Sequence, residues 1–299
     1  MRQPPFLKKN DKIAIISPAR KISNNEIKFA IEILESWGLQ VIKGKHLHCE
    51  YNQFAGDDLQ RASDLINSFL DDSIKAIFCA RGGYGTIRTL FTAIKENKNF
   101  LTNKWLIGYS DITVLHSFLN KNKIMSIHAT MPVNFEYNDK DSIDLLKKII
   151  FGKLPIKYEF EGCKLNVSGE VKAPIIGGNL SVLYSLRGTS FEPDYKNKIL
   201  FLEDLDEYLY HIDRMMMNLK IGGLLNEVAG ILVGDMIDMN DNEVPFGKKA
   251  KEIIYEHIKY LGVPVGFIKG IGHSKRNLPL IFEKEVKMTV TKEKTILIF

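Results

Sequence analysis

Trp105-Leu106-Ile107-Gly108-Tyr109-Ser110-Asp111-Ile112-Thr113 is the stretch on which the fold turns. Three apolar residues lead into Gly-Tyr-Ser-Asp. An apolar spacing of threes and fours follows, through Ile112, Leu115, His116 and Leu119. This pattern predicts a strand, a tight turn and a helix, with a serine at the turn. A serine held there projects from the strand end, and the unpaired amides of the next helical turn face the same space. That is the logic of a nucleophile elbow, although Gly-Tyr-Ser-Asp departs from the G-x-S-x-G form. Ser-Asp ahead of a helix is more often an N-cap than a nucleophile, so the rest of the chain must decide.

Upstream, strand and helix alternate. Lys12-Ile13-Ala14-Ile15-Ile16-Ser17 is apolar, rich in β-branched residues and ended by Pro18, the signature of a buried parallel strand. Ser23 caps a helix carrying Ile27, Ile31, Leu34 and Trp37, and Gly38 stops it. Val41-Ile42 begins a second strand. Asp57 caps a helix carrying Leu59, Ala62, Leu65, Ile66 and Phe69. A third strand, Ile74–Cys79, runs into Ala80-Arg81-Gly82-Gly83-Tyr84-Gly85-Thr86. Glycines there let the backbone approach a ligand closely, and Arg81 at a strand's carboxyl end suits an anionic group. The turn is neither a P-loop nor a dinucleotide fingerprint.

Downstream, Ile124–His128 is a short strand candidate. His116 lies in an apolar helical pattern and reads as a packed residue, whereas His128 is a candidate base. Near Asp139–Gly169 the pattern changes, which predicts an N-terminal domain over 1–150, a connecting segment over 151–172 and a second domain over 173–299. In the second half, Lys198–Leu202 is a strand running into Glu203-Asp204-Leu205-Asp206-Glu207. A carboxylate at the end of a buried strand needs a partner. Val228–Asp235 is another strand, His273 sits in a loop beside Gly272, and Val286–Val290 with Lys294–Phe299 forms a closing hairpin. The fold expected is α/β: an N-terminal, mostly parallel sheet flanked by helices (Rossmann-like or flavodoxin-like), with a smaller β-rich α/β domain at the C-terminal side.

The 299 residues are 45% hydrophobic and 26% charged, values of an ordinary globular protein. The net charge of +5 is mild and its short basic runs lack interleaved aromatics, so nucleic acid is not an expected partner. No apolar run reaches membrane-spanning length and no signal-peptide pattern opens the chain. Three cysteines without a C-x-x-C spacing fit a reducing compartment and supply no metal framework. These features predict a cytoplasmic protein with no metal and no cofactor.

Ser110, Glu203 and His273 together offer a nucleophile, an orienting carboxylate and a base. At this point the chain resembles the LD-carboxypeptidases, the serine peptidases of muramoyl-tetrapeptide recycling, whose relatives include the microcin-immunity peptidases. The resemblance rests on Ile15–Ala19, Phe54–Asp57 with Arg61, Asp64 and Leu65, Ala80–Gly85 with Arg88, and Gly108–Thr113. It continues through Gly177–Leu180, Phe201–Asp204, Arg214, and Gly272-His273 with Asn277-Leu278-Pro279. One departure is Asn10, where the family often has glycine. The resemblance implies a Ser110–Glu203–His273 triad and an oxyanion hole from the amides of Gly83, with Gly82 less favoured, and Asp111. It also implies a murein peptide substrate and a homodimer without metal; Arg81, Gly82 and Asn179 are the candidate substrate contacts, with Arg81 or nearby amides expected to meet the terminal carboxylate. Two other readings use the same residues: a relative that hydrolyses a peptide-like antibiotic such as an aminoacyl-nucleotide, and a non-catalytic peptide-binding protein.

Overall fold

A computed structural model describes all residues, Met1–Phe299. The first half alternates as the sequence predicts: β1 (Lys12–Ile16), α1 (Asn24–Ser36), β2 (Gln40–Lys43), α2 (Asp58–Leu70), β3 (Ile74–Cys79), α3 (Thr86–Glu96), β4 (Trp105–Gly108), α4 (Thr113–Lys121), β5 (Ser126–His128) and α5 (Lys140–Ile150). Local chemistry fixes the helix starts. Ser23 with Glu26 and Asp57 with Gln60 form capping boxes at α1 and α2. Asn10 has φ +71°, a left-handed conformation that asparagine tolerates better than most residues, so it stands in for glycine there.

The remaining elements are β6 (Lys157–Glu161), β7 (Gly169–Asn179), α6 (Leu180–Ser185), β8 (Ile199–Leu205), α7 (Leu209–Ile221), β9 (Gly230–Ile237), α8 (Ala250–Ile258), β10 (Val265–Phe267), β11 (Leu280–Phe282), β12 (Glu285–Val290) and β13 (Lys294–Ile298). They build a seven-stranded sheet in the order β10-β9-β8-β7-β12-β13-β6. Its β7 to β10 run parallel and its β12, β13 and β6 antiparallel. The first sheet has the order β11-β5-β4-β3-β1-β2. Its parallel part is therefore 2-1-3-4-5, the flavodoxin-like order, in which ligands bind outside the strand ends where β1 and β3 diverge.

Two departures from the sequence reading matter for the site. The stretch 151–172, read as a connecting segment, contributes β6 and the start of β7 to the second sheet. And Leu280-Ile281-Phe282 leaves the second half altogether, pairing antiparallel with β5 at the edge of the first sheet before the chain returns as β12. One apolar core accordingly holds Ile15 and Ile107 from the first sheet with Phe201, Leu232 and Leu297 from the second.

A buried ion pair stands at this crossing. Glu283, between β11 and β12, has a side chain only 1% exposed. Its carboxylate accepts from Lys198 Nζ at 2.7 Å, just before β8, and from Asn120 Nδ2 on α4. Removing one partner of a buried pair leaves an uncompensated charge, which costs about 3–5 kcal/mol. Lys198→Met should therefore lower stability by about that amount in urea denaturation, while Lys198→Met with Glu283→Met should recover most of the loss.

Candidate active site

Strand β4 is buried at all four positions and delivers Ser110 to its carboxyl end. Gly108 is required because a Cβ there would stand 2.9 Å from the Ile112 side chain, which folds back over the turn. Ser110 opens a single 3-10 turn, Ser110–Ile112, with φ +63°. A non-glycine residue in that region is strained and must be held by its surroundings. Asp111 does the holding: its buried carboxylate accepts from the Thr86 amide at 2.9 Å and the Thr86 hydroxyl at 2.6 Å, at the start of α3. That bond ties the serine turn to the glycine turn after β3. Gly82 lies directly against the serine, where a Cβ would sit 3.3 Å from the Asp111 amide nitrogen and 3.4 Å from Ser110 Oγ.

Glu203 comes from β8, and it lies within the strand rather than beyond its end. The β8–β9 register shifts between Leu202 and Asp204, so Glu203 drops out of that ladder and its side chain is re-aimed. It is fully buried. Oε2 accepts from His273 Nδ1 at 2.7 Å, and Oε1 has no partner. The imidazole is held in turn by its loop. Asp235, on β9, accepts from the Gly270 amide at 3.1 Å and the Ser274 hydroxyl at 2.6 Å. Asn277 accepts from the Gly272 amide at 3.1 Å. Gly272, at φ +138°, is pressed so near Glu203 that a Cβ would approach Oε2 to 3.3 Å. The Tyr109 ring packs 4.7 Å from the imidazole.

With Nδ1–H donated to Glu203, His273 keeps Nε2 free as an acceptor. His273 and Ser110 line one cleft of about 480 Å³, together with Arg20, Arg81, Gly82, Gly83, Asp111 and Asn179. Glu203 and His273 are bonded, whereas Ser110 shares their cleft without a hydrogen bond to the imidazole. Arg81 is half-buried and donates to Glu26 at 3.4 Å and to the Lys21 carbonyl at 3.3 Å. Asn179 is the N-cap of α6: Oδ1 accepts from Val182 N at 3.2 Å, and Nδ2 donates to Asp204 at 2.8 Å. His116 is a satisfied core residue between Ser126 Oγ and the Gly108 carbonyl. His128 is fully buried among Tyr109, Phe201 and Phe282, with neither ring nitrogen bonded.

Electrostatics separate the three histidines. Burial drives His116 down to about 4 and His128 well below its ordinary value, so both stay neutral. At His273 burial is the largest single influence and also lowers the value. The Glu203 charge and hydrogen bond, with Asp204 and Asp235, outweigh it and leave His273 above 6.5. Asp204 is pushed up to about 7, first by burial and then by the Glu203 charge beside it.

The residues Thr86, Asp235 and Arg20 carried no mark of a role in the sequence. Two family models match, one for the LD-carboxypeptidase N-terminal domain over residues 13–129 and one for its C-terminal domain over residues 172–288. The chain belongs to the LD-carboxypeptidase family. It is 35% identical over 312 aligned residues to the probable murein peptide carboxypeptidase of Bacillus subtilis, covering 99% of this chain and 94% of that one. The muramoyltetrapeptide carboxypeptidase of Oxalobacter formigenes shares its fold, with a TM-score of 0.85 at 24% identity, over 96% of this chain and 98% of the other. An MccF-like protein from Bacillus anthracis superposes with a TM-score of 0.82 at 25% identity, over 100% and 99% of the two chains. No helix of this LD-carboxypeptidase is long and apolar enough to cross a membrane.

The His273 shift can be read directly. Its NMR titration midpoint should lie above the ordinary histidine value, and Glu203→Gln should lower it, because the adjacent opposite charge that favours the imidazolium is lost. Because the folded value is raised, the stability this pair contributes is full below 6.5 and fades as pH rises through the folded midpoint. The stability gap between wild type and Glu203→Gln should close over the same interval.

Proposed function

We propose that this LD-carboxypeptidase hydrolyses the L,D-amide bond joining the terminal D-alanine to the third residue of murein tetrapeptides, through an acyl-enzyme on Ser110. The observation that carries the reading is the Glu203–His273 pair, with Nε2 free, in the same cleft as a serine on a strained elbow. In the free protein, hydrogen bonds between nucleophile and base are commonly long and tighten only on the substrate. The names of the Bacillus subtilis and Oxalobacter formigenes proteins support the choice of substrate.

His273 Nε2 takes the hydroxyl proton as Ser110 Oγ attacks the carbonyl carbon. Glu203 holds the tautomer and stabilises the imidazolium. The amides of Gly83 and Asp111 receive the oxyanion, and one such donor is worth about 2.7–4 kcal/mol. The carbon–nitrogen bond breaks, His273 returns its proton to the leaving amine of D-alanine, and the peptide stays esterified to Ser110. Water, deprotonated by His273, then releases the shortened peptide and regenerates the serine. Arg81, Gly82 and Asn179 border the cleft as substrate contacts, Asn179 through the backbone it fixes. The protein acts in the cytoplasm as a homodimer in this reading.

A second reading, hydrolysis of a peptide-like antibiotic such as an aminoacyl-nucleotide, uses the same three side chains and draws support from the likeness to the MccF-like protein. A substrate panel separates the two. Mass spectrometry should show D-alanine released from a murein tetrapeptide by wild type, with aminoacyl-nucleotides cleaved poorly. Ser110→Ala should lower the tetrapeptide rate by about 10⁶-fold, the cost of losing a triad serine elsewhere. Alanine release by that variant at the wild-type rate would overturn the mechanism.

A further inference from the structure

A carboxypeptidase must hold the free carboxylate of the residue it removes, and we infer that Arg20 is the group that holds it. This rests on the reading of the site as a carboxypeptidase cleft. Seven acidic, basic or histidine side chains line the cleft, and six are already engaged within the protein. Arg81 is on Glu26, Asp111 on Thr86, Asp204 on Asn179, Asp206 on Asn240, Glu207 on His211 and His273 on Glu203. Arg20 alone makes no ion pair and no side-chain hydrogen bond. It is exposed to the cleft. The Asp111 carboxylate feels its charge but lies beyond ion-pair distance.

Its position is built. The Arg20 backbone is fixed by a bridge to Phe54, flanked by bonds from Ala55 N to the Ala19 carbonyl at 3.1 Å and from Lys21 N to the Gln53 carbonyl at 3.0 Å. From there the side chain crosses directly over the glycine turn. A Cβ on Gly83 would stand 2.5 Å from Arg20 Cδ and 2.7 Å from its Nε. Gly83 thus admits the arginine stem as well as adopting φ +106°. Arg20 follows β1 and Gly83 follows β3, so the two meet at the divergence of those strands, where this sheet order places ligands.

The carboxylate of a terminal residue is two bonds from the scissile nitrogen. Arg20 and Ser110 line one cleft, so a carboxylate that close to the scissile bond falls in the space the guanidinium faces. A guanidinium offers a carboxylate two parallel N–H donors and remains charged at every working pH. Arg81 in the same cleft is the weaker candidate, because its Nη1 is already turned to Glu26 and the Lys21 carbonyl, whereas no protein group engages the Arg20 guanidinium.

The test compares a murein tetrapeptide ending in free D-alanine with the same peptide carrying a C-terminal amide. Wild type should prefer the acid by about 100-fold in kcat/KM, the scale of a hydrogen-bonded charge pair. Arg20→Met should bring the acid-to-amide ratio close to one with an unchanged melting temperature, Arg20→Lys should fall between, and Arg81→Met should keep most of the preference. If Arg20→Met retains the wild-type ratio while alanine is still released, the assignment of Arg20 fails and the proposed function stands. If wild type releases neither D-alanine from the acid nor D-alaninamide from the amide, the proposed function fails, and calorimetric binding to Ser110→Ala decides the arginine. Tighter binding of the acid that disappears with Arg20→Met upholds it, and equal binding of acid and amide overturns it.

Discussion

The contact between Glu203 and His273 is the constraint from which the rest follows. A carboxylate taken completely out of water is costly unless something in the interior receives it. Here one oxygen is received by an imidazole and the other by nothing. The protein therefore has to bring a loop from beyond β10 onto the end of β8 and keep it there. Asp235, Asn277, Gly272 and the Tyr109 ring are the means. The same contact leaves Nε2 as an acceptor in the cleft and lifts the imidazole above its ordinary value against a burial effect that acts the other way. A single buried interaction thus decides loop position, tautomer and basicity together.

The serine side is organised independently. Its strained backbone is stabilised by packing under Gly108 and by the Asp111–Thr86 bonds, none of which involve the second sheet. Since Asp111 also anchors α3, the serine turn and the glycine turn are fixed to each other before any ligand arrives. The halves meet because Gly178 passes so close to Thr113 that a Cβ would stand 2.5 Å from its hydroxyl, which accepts from the Asn179 amide at 3.0 Å.

Much of this was legible in the sequence, because local chemistry marks it. The capped helices, the buried strands β1, β3 and β4, the elbow at Ser110 and the closing hairpin each carry their own periodicity and punctuation. What could not be read was whatever depends on a distant partner. Leu280-Ile281-Phe282 is too short to announce a strand, and its pairing with β5 spans more than half the chain. Glu203 reads as the start of an acidic loop, since nothing nearby shows that the strand continues through it. Asn179 looks like a polar residue after two glycines, and its role as the α6 cap emerges only with Val182 and Asp204 in place. An unpaired arginine is the extreme case: Arg20 is distinguished solely by the partners it lacks.

The segment carrying His273 has one more property. It leaves the second sheet at β10 and ends as β11 on the outer edge of the first, where it covers the backbone groups of β5. An uncovered edge strand is a template for pairing with other chains. A molecule in which this segment fails to dock therefore loses its imidazole and gains a sticky edge in the same event.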